Sequence, residues 1–220
     1  MFLTLFGAPG SGKGTQAAFL VDRLRIPQIS TGELLRAEAA SGTKLGELAK
    51  EYMDRGDLVP DDVTVDVFRR RLAAPDVAEG VLLDGFPRTV PQAVELDRVL
   101  KGMGRRMDRV IFIKVRPEEL VSRLSGRLTC PVCGRTYHPV LARPRVDKLC
   151  DRDGAELIER DDDKAETAQR RISVYLERTV PVLEYYRRQG VVDEVSGEGD
   201  IAEVRRRIMD SIAAPHGGGE

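Results

Sequence analysis

With 220 residues, 35 basic and 36 acidic side chains and a net charge of −1, the chain is long enough for one α/β core with small insertions. It carries no surplus charge for bulk binding to nucleic acid or to a membrane surface. Its three cysteines are an odd number, against a framework of disulfides alone, and no apolar run approaches transmembrane length. The expectation is a soluble, cytoplasmic protein that works as a monomer.

Taken in order, the chain opens on the apolar run Met1–Phe6, the pattern of a buried parallel strand. A glycine-rich turn follows, Gly7-Ala-Pro-Gly10-Ser11-Gly12-Lys13-Gly14-Thr15, and then a helical stretch from Gln16. Strand, glycine turn and helix in this order form the setting of a phosphate-binding P-loop. The glycines let successive N–H groups point into one nest, the helix N-terminus adds partial positive charge, and Lys13 adds a full one. The general pattern has Ser or Thr directly after the lysine; here Gly14 stands there and Thr15 comes one place later.

Further β-rich runs occur at Ile26–Ser30, Val81–Asp84, Arg109–Val115 and Val191–Val195, with helical patterns between them. That alternation predicts a doubly wound α/β fold with a five-stranded parallel sheet, whose ligands sit beyond the carboxyl ends of the strands. Ser30 and Glu33 fit a capping box, and two helices follow to about Val59. Arg36 lies in the second turn of the first, within reach of a ligand at its mouth or simply solvated. Asp84, at a strand end before Gly85, suits either a magnesium-facing carboxylate or a turn. Phe86-Pro87 stiffens that turn and fixes Arg88, and Thr89 is the expected cap of the next helix. Arg123 and Arg127 are four apart, on one face of a helix starting at Pro117, where they repel unless an anion lies between them.

The composition then changes. Cys130-x2-Cys133, sixteen intervening residues and Cys150-x2-Asp153 have the spacing of a four-ligand zinc ribbon with one thiolate replaced by carboxylate. A glycine follows each pair, at Gly134 and Gly154. Two other readings stand beside it: a Cys130–Cys133 redox pair, and His138 as fourth ligand. Farther on, Asp163 and Glu166 resemble an N-cap and its partner, Pro181 is expected to kink the helix that follows, and the tail Ala213–Glu220 is expected to lack order.

In their order and spacing, GAPGSGKGTQA, PQISTGELLR, LLDGFPRT-x-PQA, the Gly126-Arg127 pair before the knuckle, and R-x-DD followed by RR resemble the adenylate kinase family over nearly the whole chain. The insertion resembles the zinc-containing lid of the long bacterial form. The resemblance implies a core of residues 1–29, 60–125 and 164–220, a monophosphate-binding helical insertion at 30–59, and a small β-rich lid at 126–163. It implies ATP, AMP and ADP as ligands, Mg2+ with ATP, and a structural Zn2+ on Cys130, Cys133, Cys150 and Asp153. ATP would be held by Gly10, Ser11, Gly12, Lys13, Gly14, Thr15, Arg123 and Arg127, with Thr136, Tyr137 and Gly199 at its base or ribose. AMP would be held by Thr31, Arg36, Asp57, Leu58, Val59, Gly85, Phe86, Pro87, Arg88, Gln92, Arg160 and Arg171. Lys13, Arg88, Arg123, Arg160 and Arg171 would be catalytic, Asp84 would organise magnesium, and Asp162 and Asp163 would act at the lid hinge. The family often has Lys where this chain has Asp161. Two other functions fit parts of the pattern: a UMP or CMP kinase, against which Thr31 argues, and a zinc-ribbon nucleic-acid-binding protein, against which the interleaved acids argue.

Overall fold

The computed structural model describes residues 1–214, apart from the side chains of residues 161 and 165. The expectation about the tail therefore falls, from Pro215 on, outside the described residues, as does the Asp161 side chain. In chain order the elements are β1 (Phe2–Phe6), α1 (Lys13–Leu24), β2 (Gln28–Ser30), α2 (Thr31–Ala40), α3 (Lys44–Asp54), α4 (Asp61–Leu72), β3 (Val81–Asp84) and α5 (Val90–Gly102). They continue with β4 (Arg109–Lys114), α6 (Pro117–Ser125), β5 (Leu128–Thr129), β6 (Thr136–Tyr137), β7 (Ile158–Glu159), α7 (Ala165–Val174), α8 (Val180–Arg187), β8 (Val192–Ser196) and α9 (Ile201–Ala213).

Five strands form one parallel sheet in the order β2-β3-β1-β4-β8. Along β1 alternate side chains go to opposite faces, as the period of two demands. Phe2 and Phe6 join Leu72, Leu96, Leu100 and Leu183 under α4, α5 and α8, while Leu3 and Leu5 join Leu20, Val204 and Ile208 under α1 and α9. This two-sided burial is why the strands read as continuous apolar runs. The insertion after β2 has its own small core of Leu35, Ala49 and Val59. A second sheet, antiparallel and in the order β6-β5-β7, hangs from the end of α6 around Cys130, Tyr137, Cys150 and Leu157. No helix among the described residues is long and apolar enough to cross a membrane.

One local expectation is corrected. Lys164, not Asp163, is the N-cap residue of α7, and it makes no side-chain cap bond. Asp163 is fully buried and bonded to arginines instead. Pro181 sits in the first turn of α8, and the helix accommodates it through a π-turn over Tyr175–Thr179. Proline lacks an N–H and its ring meets the carbonyl four residues back, so a widened turn relieves both demands.

Candidate active site

The loop after β1 curls over the sheet edge into α1. Gly10 and Gly12 hold φ of 84° and 91°, a region that side chains resist, and a Cβ on Gly10 would lie 2.9 Å from the Leu120 carbonyl oxygen. Lys13 opens α1 and donates from Nζ to the carbonyls of Gly7 (2.7 Å) and Ala8 (2.9 Å). Burial, first of all, pushes its ammonium down to about 7; Arg88, Arg127 and Arg171 push the same way and Asp84 opposes them. Asp84 ends β3 beside the loop and accepts from Gln28 Nε2 at 3.1 Å. A Cβ on Gly14 would lie 3.9 Å from Asp84 Oδ2, so the carboxylate faces the first turn of α1 where the usual hydroxyl is missing.

Next to Asp84 the chain turns through Gly85 (φ 72°) and the cis bond Phe86–Pro87 to Arg88, whose Nε donates to the Gly85 carbonyl at 2.8 Å. Burial pushes Arg88 down to about 10, with Arg171 and Arg36 adding to the effect and Asp84 and Asp162 opposing it. Arg160 is likewise held at about 10, by burial first and then by Arg36 and Arg127. Arg36 is lowered chiefly by burial, with Arg127 and Arg171 contributing. These groups stay charged at neutral pH. Guanidiniums that depress one another form a site with excess positive charge, which a phosphate neutralises.

Two carboxylates answer part of that charge. Asp163 accepts from Arg127 Nε at 2.6 Å, from its Nη2, and from Arg171 Nη1 at 2.8 Å. Burial works against the Asp162 carboxylate, yet Arg171, Arg36, Arg127 and Arg160 together hold its pKa below the usual value. Both acids lie on a short 3-10 turn between β7 and α7.

Arg123 stands apart from this group. The helix α6 ends at Ser125, so Arg127 leaves the face that Arg123 occupies. Arg123 Nη1 donates to the Gly197 carbonyl at 3.1 Å and Nη2 pairs with Glu119 at 2.7 Å. It thus borders the loop of Gly199, which Arg207 braces by donating to the Ser196 and Glu198 carbonyls at 3.1 and 2.5 Å.

A cleft lies between the insertion and the core, lined among others by Thr31, Arg36, Leu58, Val59, Arg88, Gln92 and Arg171. Thr31 Oγ1 donates to the Gly85 carbonyl at 2.9 Å. Gln92 is 1% exposed; its Oε1 accepts from Arg88 N at 2.8 Å and its Nε2 donates to Asp61 Oδ1 at 2.7 Å. Asp57 pairs with Arg170 of α7 at 2.8 Å, tying the insertion to that helix.

The second sheet reaches over the P-loop. Thr136 Oγ1 is 3.5 Å from Thr15 Oγ1, and a Cβ on Gly134 would come within 2.6 Å of Glu33 Oε1. The Tyr137 ring is buried in the lid core with its hydroxyl accepting from Asp151 N, so toward a ligand this residue offers backbone. Sequence reasoning gave Glu33 only a capping role; its approach to Gly134 joins residues 101 apart in sequence, which no local signal reveals.

The ligand atoms of Cys130, Cys133, Cys150 and Asp153 all lie within 4.8 Å of one another. Cys133 and Cys150 sulfurs are 3.5 Å apart, and each knuckle closes with a Gly N–H on a Cys carbonyl, at 3.1 and 2.9 Å. Backbone N–H groups of Val132, Cys133 and Arg152 donate to sulfur at 3.4 Å, an arrangement suited to thiolates. Three sulfurs and a carboxylate at this spacing fit one tetrahedral ion. The three cysteines are free of disulfides, and the His138 ring, which accepts from Val140 N and Leu141 N, lies outside the cluster.

The family model described as adenylate kinase matches residues 5–191. Among curated proteins, the adenylate kinase of Desulfitobacterium hafniense is 50% identical over 212 residues, covering 96% of this chain and 98% of the relative. That of Oceanobacillus iheyensis is 50% identical over 94% of this chain and 97% of its own length. That of Archaeoglobus fulgidus is 48% identical over 94% and 96%. A match of this extent, on a five-stranded parallel sheet whose glycine loop faces a cleft ringed by arginines, has one meaning: the chain belongs to the adenylate kinase family.

Proposed function

We propose that this chain moves a phosphoryl group reversibly from Mg·ATP to AMP, giving two ADP. The observation that carries this reading is the convergence of Lys13, Arg88, Arg160 and Arg171 between the P-loop and the cleft of Thr31 and Gln92. ATP lies on the P-loop, Gly10 to Thr15, with Arg123 and Arg127 toward its phosphates and its base or ribose toward Gly199 and the backbone of Thr136 and Tyr137. AMP lies in the cleft against Thr31, Arg36, the Asp57–Val59 backbone, Gly85 to Arg88 and Gln92. The two phosphate chains meet where the cations crowd. The core is residues 1–29, 60–125 and 164–220, the AMP-binding insertion is 30–59, and the lid is 126–163.

The nucleophile is a phosphate oxygen of AMP. It is already ionised near neutral pH, because a phosphate monoester loses its second proton near 6. No general base is required, and the chain uses no His or Ser as one. What the reaction needs is charge neutralisation and in-line alignment. Arg88, Arg160 and Arg171 grip phosphate oxygens as forks, and Lys13 acts on the β- and γ-phosphates of ATP. Arg123, held beside Gly197 and Glu119, joins them at the ATP side of the transferring group. Mg2+ bound with ATP would neutralise phosphate charge, and Asp84, which faces the first turn of α1 at Gly14, would help organise it.

The competing acceptor is water. The lid over Thr15 and the insertion tied to Arg170 exclude it once both nucleotides are seated. Zinc held by Cys130, Cys133, Cys150 and Asp153 would stiffen the lid and leave no open coordination position for catalysis. The protein works as a monomer in the cytoplasm, in keeping with its balanced charge.

The test is turnover with Mg·ATP against AMP, GMP, CMP and UMP in both directions. A strong preference for AMP, with ADP dismutation in reverse, is expected. Preference for a pyrimidine monophosphate overturns the roles given to Thr31 and Gln92.

A further inference from the structure

We infer that Asp61 is a positioning residue for base selection: its carboxylate fixes which end of the Gln92 amide faces which way, and so sets the hydrogen-bond pattern the cleft presents to the base. The inference rests on the proposal that Gln92 reads the monophosphate base, and it adds the group that makes the reading one-directional.

A glutamine side chain is nearly symmetric in shape and opposite in chemistry at its two ends. Its carbonyl accepts twice and its amino group donates twice. Turned over, it occupies the same space and reads the opposite pattern. A glutamine free to turn therefore discriminates poorly. Here Gln92 has two fixed neighbours. The Arg88 N–H, which can only donate, meets Oε1 at 2.8 Å. Asp61 Oδ1, which can only accept, meets Nε2 at 2.7 Å. Turning the amide would set donor against donor at one end and acceptor against acceptor at the other. With 1% of the residue exposed, solvent has little access to relieve either contact.

Asp61 is itself held. Its other oxygen accepts from Thr89 Oγ1 at 3.0 Å, and Thr89 in turn accepts from Gln92 N at 3.3 Å as the N-cap of α5. Asp61, Thr89 and Gln92 thus form a closed ring of hydrogen bonds joining the start of α4 to the start of α5. The bland alternative is that Asp61 only favours the N-terminus of α4, where Asp62 does the same. That role would affect stability and would not single out one oxygen for Gln92.

After these bonds Gln92 keeps one N–H and one carbonyl lone pair for the cleft that it lines. Adenine has an acceptor at N1 beside a donor at N6, which this locked amide satisfies. Hypoxanthine has the reverse, a donor at N1 beside an acceptor at O6, which a turned amide would satisfy. The lock therefore favours AMP over IMP, two ligands of nearly the same shape.

The experiment measures calorimetric affinities of the full-length protein for AMP, IMP and ATP, with kcat and KM for AMP, in the unaltered protein, Asp61→Leu and Asp61→Asn. In Asp61→Leu one of the two constraints is gone. The preference for AMP over IMP should fall by about tenfold, through weaker AMP and stronger IMP binding, with KM for AMP raised and ATP affinity unchanged. In Asp61→Asn the amide oxygen can still face Gln92 while its NH2 meets Thr89, so the preference should stay near that of the unaltered protein. Should Asp61→Leu fail to fold, as thermal melting will tell, the smaller Asp61→Ala makes the same test. An unchanged AMP-to-IMP ratio in the folded variant overturns the inference, as does an equal loss for all three nucleotides. If the unaltered protein itself binds AMP and IMP alike, the base-reading proposal falls, and the inference with it. A clear preference in the unaltered protein that survives Asp61→Leu sinks the inference alone.

Discussion

The parallel sheet and the lid solve the same problem, holding charged side chains in fixed places, by different physics. Among the described residues the sheet has 20 buried residues clustered on one face and 11 on the other. The lid has a cluster of four, two of which are cysteines. At a few kcal/mol for each buried apolar side chain, the sheet offsets its own ordering cost. The lid, with so few, does not, and Val132, Val140, Val146 and Ile158 remain exposed on it for want of anything to bury them. The difference teaches where each cation belongs. Lys13 and Arg88 stand just beyond the turns that follow β1 and β3, on a self-supporting scaffold. Arg127 and Arg160 flank a unit whose small core is supplemented by a cluster of four potential metal-ligand atoms.

If that contrast is right, activity and folding separate cleanly in the sheet and remain linked in the lid. Arg88→Ala is expected to lower turnover by roughly 10³-fold or more, the size of effect seen when an arginine is removed from a phosphoryl-transfer site. Its melting temperature should stay close to that of the unaltered protein, because the arginine's fixed bond is one carbonyl contact within its own turn. A large fall in melting temperature would mean that Arg88 holds the scaffold, and the contrast would fail on the sheet side. On the lid side, chelation of the proposed zinc, or Cys150→Ser, should free the amides of residues 128–159 to hydrogen exchange while those of β3 stay protected. Were β3 to lose protection in step, the two regions would be one cooperative unit.

The same contrast explains what could be read from sequence. Strands β1, β3 and β4 were legible because burial on both faces leaves unbroken apolar runs, and Lys13 falls at the head of α1 because glycine spacing is a local signal. Tertiary partners were not legible. Asp163 with Glu166 carried an N-cap pattern three residues long, but Arg127, 36 residues earlier, and Arg171 take that carboxylate instead. Arg123 and Arg127 shared a helical face only on the assumption that the helix continued; it stops at Ser125 and the two side chains part. Asp61 gave no signal beyond an acid in a first helical turn, because its partners Thr89 and Gln92 lie about thirty residues away.

The smallest effect tests the charge stored on the sheet side. Burial and three arginines lower Lys13 from 10.5 to about 7, with Asp84 opposing. For a lysine lowered on folding, the penalty for carrying the charge in the folded state is present in full below about 7 and is relieved as pH rises toward 10.5. The ligand-free protein should therefore gain stability from this group across that window. A polyphosphate beside Nζ reverses the balance, since an adjacent anion favours the ammonium. Binding of ATP at pH 8 should then take up close to one proton, read as the difference in calorimetric heat between two buffers of unlike ionisation enthalpy. Lys13→Gln should abolish the uptake and weaken binding together. If uptake persists in Lys13→Gln, the proton goes to another group, and the P-loop lysine is charged before the nucleotide arrives. In that case the two carbonyls of Gly7 and Ala8 are acceptors enough to hold its ammonium form, and the excess positive charge of the site lies wholly in its arginines.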